Sequence, residues 1–468
     1  MPLILPGNVA SATAAAAVVT NSCRFEDGSG AYMHKTPGSE GDRKKWTYSV
    51  WIKKATNGIR QHVWTSYYNS SNFCTLNFES DDQLNFYDYN GGSTNGQRHT
   101  TRMFRDPSAW YNIVTVWDSE NGTTADQLIV YVNGTRESVF DTNTAPSETD
   151  SRGPSHTLKH RLGGYEDSNY FFDGYIAEAV FIDGSALAAT SFGEFDEDSP
   201  TIWKPIDVSG LTFGTHGFYL DFEDSANLGN DANGGTDLTE VNLAAVDQST
   251  DTPVNNFCTW NSIADNLDVT LSEGNTKVVH GTALARRPVI STFGVSAGKW
   301  YWEWVAEGSP TAANMEVGIV NYASPFSQGR YLGQDLVDDA DFTSYLGNGY
   351  INMSGSSSDS GTTYAGGDVV GVAVDMDNTL IYFYKNNTLV NSGGTNFSGM
   401  EDGSGFIFMS NGDQSGSASY TAGVNFGGSS GFTISSAAAD ANGYGNFEFA
   451  PPSGFLALCT KNLGSTGG

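Results

Sequence analysis

Short apolar runs separated by clusters of Gly, Asn, Asp and Ser recur along almost the whole chain. Val, Ile, Thr and aromatic residues fill these runs, as at 46–52 (WTYSVWI), 110–117 (WYNIVTVW) and 128–132 (LIVYV). The last of them leads directly into Asn133-Gly134, a pair that favours a tight type I′ turn. Such spacing is typical of antiparallel β-sandwiches. We therefore predict an all-β fold in which 110–117 and 128–132 form a hairpin.

The predicted strands fall into two series. Later runs lie at 300–305, 316–320, 369–374, 380–384 and 406–409, and a polar, Gly-rich stretch at 229–243 precedes them. A chain of 468 residues is also too long for one compact core. We predict two antiparallel jelly-roll sandwiches, at 23–195 and 258–463, joined by a Gly/Asp/Asn-rich connector at 196–257. Residues 1–22 are assigned to an N-terminal arm suited to attachment, and 464–468 to a flexible tail.

Charge and hydropathy exclude two classes of partner. The 23 Lys and Arg residues against 53 Asp and Glu residues leave a net charge of −30, so the cationic surface that nucleic acid requires is missing. No apolar run approaches the ~20 residues that span a bilayer, and we expect neither a membrane anchor nor a signal peptide. The four cysteines are far apart, which predicts free buried thiols and neither a disulfide framework nor a zinc site.

Each series of strands resembles a known binding domain. The segments WTYSVWIKK (46–54), WYNIVTVWDSENGTTADQLIVYVNGT (110–135) and LGGYEDSNYFFDGYIAEAVFIDGSAL (162–187) resemble the laminin G-like, concanavalin A-like lectin fold. The segments GKWYWEW (298–304), EVGIVNY (316–322), GGDVVGVAVDMDNTLIYFYKNNTLV (366–390) and VNFGG (424–428) resemble a SPRY domain. These resemblances imply two β-sandwiches that bind glycans or proteins and, for the SPRY domain, no catalytic residues.

The stretches between and after these segments resemble bacteriophage virion proteins, in particular tail or head fibres of marine phages. They are 192–205, 217–235, 242–257 and 449–463. The resemblance implies a non-enzymatic virion subunit, made in the cytoplasm of the host bacterium, that recognises a glycan or protein on the host cell. Other virion proteins and further copies of the chain, as a trimer by fibre habit, are the implied partners. A capsid-decorating protein, a polysaccharide depolymerase and a secreted adhesin are the alternatives.

Catalytic motifs are incomplete. Glucanases of the lectin-like fold carry Glu-x-Asp-x-x-Glu, whereas here Glu194-Phe-Asp196 is followed by Ser199. Glycoside hydrolysis requires two carboxylates across a cleft, so we interpret this motif as an acidic turn. His156 and His160 would share a metal only on a helix, and their surroundings predict a strand. We predict that the chain is not an enzyme.

Exposed aromatic residues beside amides are the residue types that stack against sugars. The candidate ligand contacts are Tyr67, Tyr68, Tyr87, Tyr89, Tyr165 and Asn169 in the first sandwich and Arg330, Tyr331, Tyr345 and Tyr350 in the second. Core packing is the alternative explanation for any single ring, because this fold uses many aromatic residues in its interior.

We predict that the chain needs no cofactor. Asp338, Asp339 and Asp341 are interpreted as a solvated acidic loop, and Ca²⁺, which prefers hard carboxylate oxygens, is the alternative. None of the acidic clusters has EF-hand spacing. Asp375 to Asn378 is interpreted as a turn between two strands.

Overall fold

The chain divides into two compact units between Val254 and Asn255. The computed structural model describes residues 19–147, 151, 153, 155–166, 169–263, 269–281, 288–308, 315–321, 342–353, 356–398, 400, 406–411 and 419–465. Nearly all regular structure in these ranges is β, and the sheets are built from antiparallel neighbours apart from one short parallel pair. The predicted all-β class is therefore confirmed. Within these ranges no helix is long and apolar enough to cross a membrane.

The first unit is a sandwich of two large sheets. Its strands are β1 (Ser22–Phe25), β2 (Tyr32–Lys35), β3 (Lys45–Lys54), β4 (Gln61–Asn69), β5 (Asn72–Phe78), β6 (Gln83–Asn90), β7 (Ser93–Met103), β8 (Tyr111–Asp118), β9 (Leu128–Val132), β10 (Thr135–Arg136), β11 (Phe140–Thr144), β12 (Lys159–Leu162), β13 (Gly174–Asp183), β14 (Gly193–Phe195), β15 (Trp203–Pro205), β16 (Phe218–Leu220), β17 (Thr239–Val241) and β18 (Gln248–Ser249). Sheet one has the order β10-β9-β8-β3-β13-β1-β18, with β16 also on β13; sheet two has the order β11-β7-β6-β5-β4-β12-β2-β17. Short 3₁₀ helices lie at Asp27–Ser29, Thr124–Asp126, Ala189–Ser191 and Ala245–Asp247.

The predicted hairpin is confirmed, with a refinement of its turn. β8 pairs antiparallel with β9, from Trp117 opposite Leu128 to Ile113 opposite Val132. The Asn133-Gly134 pair instead connects β9 to the short β10. Both residues have positive φ, 47° and 72°, as a type I′ turn requires.

The two sheets of this unit differ in how their outer faces are covered. The space between the sheets is filled by large side chains, including Trp46 and Trp117, whose rings stack at 6.2 Å. A second apolar cluster, which includes Trp203 and Phe213, covers the other face of sheet one. Consequently β13 is buried along its whole length. The strands at the centre of sheet two, by contrast, carry half-exposed residues on their outer face.

The segment predicted as a connector belongs to the first sandwich. Residues 218–220 pair with β13, 239–241 with β2, and 248–249 with β1. The prediction of an inter-domain connector at 196–257 is therefore wrong, and the unit ends at Val254. The pattern was misleading because strands of two or three residues are too short to show a period of two. Of the predicted arm, residues 1–18 lie outside the described residues.

The second unit is also a two-sheet sandwich. Its strands are β19 (Val269–Ser272), β20 (Lys277–His280), β21 (Val289–Val295), β22 (Lys299–Glu307), β23 (Glu316–Asn321), β24 (Phe342–Leu346), β25 (Tyr350–Met353), β26 (Ser356–Asp359), β27 (Val369–Asp375), β28 (Leu380–Lys385), β29 (Thr388–Leu389), β30 (Thr395–Asn396), β31 (Phe406–Asn411), β32 (Tyr420–Asn425) and β33 (Leu456–Ala457), followed by α1 (Thr460–Ser465). One sheet has the order β19-β20-β32-β22-β27-β28-β29, with β30 on β28 and β33 on β22; the other has the order β21-β31-β23-β24-β25-β26. Because α1 reaches Ser465, the predicted tail loses its first two residues to a helix.

The core of the second unit is rich in tryptophan. Trp300, Trp302 and Trp304 are fully buried on β22, and Trp302 packs against Phe408 at 4.1 Å between ring centroids. A separate apolar cluster lies on the other face of the same sheet, where the segment after β32 returns across Tyr301. All four cysteines of the chain are free and buried, as predicted.

Candidate functional site: an aromatic platform on sheet two

Alternation along three adjacent strands places a set of aromatic rings on one face of sheet two. On β5, Cys74, Leu76 and Phe78 point into the core, so Phe73 and Thr75 lie on the opposite face. The register then aligns Tyr67 on β4 with Phe73, and Phe73 with Tyr89 on β6. A second row aligns Thr75 with Tyr87. Four rings from three strands therefore share the outer face of sheet two.

A fifth ring comes from the loop after β12. Tyr165 packs with its ring centroid 4.9 Å from that of Tyr67 and 5.9 Å from that of Phe73. Phe73 in turn lies 5.4 Å from both Tyr87 and Tyr89. We call Tyr67, Phe73, Tyr87, Tyr89 and Tyr165 the aromatic platform. All five are half-buried, since they pack edge to edge and leave part of each ring in solvent.

Tyr170 extends the platform at one end. Its ring lies 5.9 Å from that of Tyr165 and under the Arg60 guanidinium at 5.6 Å, and 45% of the residue is exposed. Its backbone has φ 53°, in the left-handed region that a tyrosine rarely adopts. Residues with strained backbone of this kind cluster at functional sites, where the surrounding structure fixes the side chain.

A histidine supports the platform from below. His62 is buried, and its ring lies 4.6 Å from that of Tyr165. Its Nδ1 is 2.6 Å from Thr75 Oγ1 and 3.2 Å from Thr65 Oγ1. Burial lowers the pKa of His62 to about 3, so the ring is neutral near pH 7. Burial, with the hydrogen bond to Glu166, also raises the pKa of Tyr67. The Tyr67 side chain therefore acts as a neutral hydroxyl group.

Amides and one carboxylate line a side of the platform. Glu79 accepts hydrogen bonds from the side-chain amides of Asn77 (3.0 Å) and Asn85 (3.1 Å) and from Arg60 Nε (2.6 Å). Gln97 donates to Asn85 Oδ1 at 3.1 Å. The Oδ1 of Asn77 is buried and accepts no hydrogen bond from the residues described. Asn77 and Asn85 are buried, so within this row only Glu79 and Gln97 are part-exposed beside the rings.

The sequence-predicted contacts of the first sandwich are largely brought together. Four of them, Tyr67, Tyr87, Tyr89 and Tyr165, are platform residues. Asn169 lies in the same loop as Tyr165, and its buried Oδ1 accepts no bond from the described residues. Tyr68 is 69% exposed at the end of β4 and is not one of the packed platform rings.

Of the four predicted contacts of the second sandwich, the structure describes Tyr345 and Tyr350. Tyr345 is fully buried, donates to Thr362 O at 2.6 Å and packs against Phe383, so its assignment to a ligand surface is wrong. Tyr350 is 40% exposed at the start of β25. Arg330, Tyr331 and the calcium candidates Asp338, Asp339 and Asp341 lie outside the described residues.

Sequence reasoning missed Phe73 and His62. A signal for Phe73 was present in the sequence. If Asn69 to Asn72 forms a tight hairpin turn, Tyr67 and Phe73 are opposite each other on neighbouring strands. No comparable signal marks His62, since its role depends on a loop that is distant in sequence.

The failed glucanase motif is a structural turn. Asp196 is buried, accepts the backbone N–H groups of Asp198 and Ser199, and lies 3.7 Å from Lys204 Nζ. A carboxylate held in this way caps a turn, and it belongs to the short pair of strands β14 and β15, outside sheet two. The interpretation as an acidic turn fits these contacts.

Two family models match the chain. The model described as the concanavalin A-like lectin/glucanases superfamily matches residues 27–190, and the SPRY domain model matches residues 299–423. The chain contains a concanavalin A-like domain and a SPRY domain. The first description covers lectins as well as glucanases. The aromatic platform thus belongs to the concanavalin A-like domain, and the tryptophan-rich core to the SPRY domain.

Solved structures similar to parts of the chain include SPRY domains and a protein named for carbohydrate binding. The SPRY domain of human HERC1 shares 14% identity, covering 34% of this chain and 93% of that chain, with a TM-score of 0.27. The TRIM65 PSpry domain shares 14% identity over 36% and 91%, with a TM-score of 0.26. A Bacteroides ovatus protein named for carbohydrate binding shares 16% identity over 47% of this chain and 58% of its own, with a TM-score of 0.34. No curated protein matches the sequence.

Proposed function

We propose that this chain is a non-enzymatic adhesion subunit whose concanavalin A-like domain binds a carbohydrate through the aromatic platform. The observation that carries the proposal is the convergence of five half-exposed rings from β4, β5, β6 and the loop after β12 on one sheet face. Rings needed only for packing are buried, as those of Trp46 and Trp117 are. Exposure of a row of apolar rings to water is unfavourable, and contiguous exposed patches of this kind mark interaction sites.

Carbohydrate is the ligand class whose surface matches this face. A sugar ring presents C–H groups on one side and hydroxyl groups around its edge. The platform offers flat aromatic area beside the part-exposed amide of Gln97, which is a neutral hydrogen-bonding group. Tyrosine suits such contacts because its ring is apolar and its hydroxyl is polar.

We place this subunit in a bacteriophage particle, as part of a tail or head fibre that recognises a glycan or protein of the host cell surface. Support for the virion setting is the sequence resemblance of 192–205, 217–235, 242–257 and 449–463. In this proposal other virion proteins and further copies of the chain are its partners. A capsid-decorating role is the alternative, which localisation of the chain on the particle by labelled microscopy would decide.

The test of carbohydrate binding is a glycan array probed with the whole chain, followed by titration of the best ligand. Tyr67→Ala and Tyr89→Ala are each expected to raise the dissociation constant about 10- to 100-fold, the effect of removing a central aromatic contact. Tyr131→Ala is the matched control, because Tyr131 is a half-buried tyrosine on β9 in the other sheet.

Retained binding in both platform variants would show that the platform is not the site. Release of new reducing ends from a bound polysaccharide over time would show instead that the chain is a depolymerase.

A further inference from the structure

A buried lysine and a buried aspartate meet where β3 of the concanavalin A-like domain approaches the segment after β18. Lys53 Nζ lies 2.6 Å from Asp251 Oδ2, and both side chains are 1% exposed. The indole Nε1–H of Trp110 donates to the other oxygen, Asp251 Oδ1, at 3.0 Å. One oxygen of this carboxyl group therefore contacts an amine, and the other accepts a bond from a neutral donor.

Aromatic side chains flank the pair on the outer face of sheet one. Tyr175 is opposite Lys53 on β13, and its ring centroid lies 5.8 Å from Lys53 Nζ. Tyr175 and Trp110 belong to the apolar cluster on this face, with their ring centroids 6.5 Å apart. Charged groups are costly in such surroundings. Transfer of a proton from Nζ to Oδ2 removes both charges and leaves an amine in contact with a carboxylic acid.

We propose that Lys53 and Asp251 become joined by a side-chain amide bond, which the folded domain forms without any further reactant. The Nζ lone pair attacks Asp251 Cγ, so that a C–N bond forms and the Cγ–Oδ2 bond breaks. Oδ2 carries the proton transferred from Nζ, takes a second proton from the attacking nitrogen and leaves as water. Oδ1 remains as the amide oxygen. Amine and acid thus give amide and water, with no change of oxidation state.

The fold provides three conditions that favour this condensation. It holds the two reacting groups in contact, which replaces an encounter in solution. Negative charge develops on Oδ1 when Nζ adds to Cγ, and the Trp110 Nε1–H at 3.0 Å stabilises that charge. Burial of both side chains keeps away the bulk water that would hydrolyse the amide. Trp110 is thus the catalytic residue of the proposed cross-link.

The neighbouring pair of Lys54 and Asp82 provides an internal comparison. Lys54 Nζ lies 2.9 Å from Asp82 Oδ1 and also donates to Phe104 O at 3.2 Å. Asp82 Oδ1 accepts the backbone N–H of Gly58, and its Oδ2 accepts Arg105 Nε at 3.0 Å. A guanidinium on one oxygen favours the charged form of the acid, and a carboxylate is a poor electrophile. We therefore expect this second pair to stay ionic.

The cross-link changes how the domain carries force. It connects β3 to the last segment of the domain across 198 residues of sequence. The Ser22 hydroxyl of β1 donates to the backbone oxygen of Asp251 at 2.6 Å, so the first strand is held at the same place. Force applied to the two ends of the domain passes through the amide, and the chain between residues 53 and 251 is not extended. The cross-link does not depend on the proposed carbohydrate function.

The test is the intact mass of the whole chain, measured by electrospray mass spectrometry after denaturation in guanidinium chloride. Denaturation separates an ion pair and leaves an amide intact. We expect a mass lower than that of the sequence by one water molecule. Trypsin does not cleave after an acylated lysine, so the digest should contain a branched peptide that joins Lys53 to Asp251.

Three variants identify the groups involved. Lys53→Arg keeps the positive charge but cannot form this amide, and it should show the full mass of its sequence. Lys54→Arg is the matched control on the same strand and should still lose one water. Trp110→Phe keeps an aromatic ring but removes the donor to Oδ1, so its loss of water after refolding should be slower by about 10-fold or more.

The unmodified chain decides the proposal even where a variant does not fold. The full sequence mass would overturn the proposal and leave Lys53 and Asp251 as a buried ion pair. A lost water without the branched peptide would also overturn it, because the dehydration then lies elsewhere in the chain. An equal rate of water loss in Trp110→Phe would overturn the role of Trp110.

Discussion

The two domains differ in whether the aromatic residues on the outer face of a sheet are exposed or covered. In the concanavalin A-like domain the rings of β4, β5 and β6 stand half-exposed on the outer face of sheet two. In the SPRY domain the corresponding feature is Tyr301 on β22, which is 2% exposed because Phe447 packs against it at 5.2 Å. One face is open to a ligand, and the other is closed by the protein itself.

A buried glutamate holds the closing segment of the SPRY domain in place. Glu303, two residues after Tyr301 on the same face, accepts the backbone N–H groups of Glu448 (2.8 Å) and Phe449 (2.7 Å). The Tyr301 hydroxyl (3.1 Å) and the Asn425 amide (3.3 Å) also donate to it. Among the described residues no such anchor lies on the platform, and the carboxylate Glu79 is held by side chains at its margin. An outward aromatic residue on a strand therefore indicates a site only where nothing returns to cover it.

The largest expected effect on stability comes from removing a ring from the covered sheet face of the SPRY domain. Removal of a ring from the aromatic platform is the comparison. Phe447 is fully buried, so Phe447→Ala should lower the free energy of unfolding of the SPRY domain by about 3–5 kcal/mol. Phe73→Ala, at the half-exposed centre of the platform, should cost its own domain less than half as much. Calorimetry of the whole chain measures both. Equal losses would contradict the contrast between a closed and an open face.

A second prediction concerns pH. Burial raises the pKa of Glu303 from 4.5 to about 7. Between these values the folded domain keeps the proton while the unfolded chain releases it, so stability present below pH 4.5 is lost as the pH rises to about 7. The loss is on the order of 3 kcal/mol. Glu303→Gln should remove this dependence of the unfolding free energy on pH, which unfolding curves at pH 4.5, 6 and 7.5 measure. If the variant keeps the same dependence, other groups cause it.

The smallest expected effect on stability lies at Tyr170. Glycine adopts its φ of 53° without strain, so Tyr170→Gly should change the free energy of unfolding by less than about 1 kcal/mol despite the lost ring contacts. Carbohydrate binding should nevertheless weaken, because the exposed ring is gone. Denaturant unfolding and glycan titration of the same variant measure the two effects. If carbohydrate binding is unchanged, Tyr170 does not contact the ligand, and the binding surface is limited to the five platform rings.

The sequence predicted the fold class and most long strands because their alternation and turn residues are local signals. It also selected Tyr67, Tyr87, Tyr89 and Tyr165. The same reasoning selected Tyr345, which is a core residue, since a ring on a strand looks identical in sequence whether its face is open or covered. The role of His62 depends on a loop that is distant in sequence, which no local pattern encodes. The strands between 218 and 249 were missed because they are two or three residues long.

The meeting of the first and last strands of the concanavalin A-like domain bears on how it folds during synthesis. The Ser22 hydroxyl donates to the backbone oxygen of Asp251 across 229 residues of sequence, and the Asp251 carboxylate also pairs with buried Lys53 at 2.6 Å. At a translation rate of about 5–20 residues per second, β1 waits roughly 10–50 s for these partners. During that time its edge is unpaired and open to wrong pairing. Co-expression of chaperones should therefore favour soluble protein, and a shortened chain that stops at 195 should aggregate where one that stops at 254 does not.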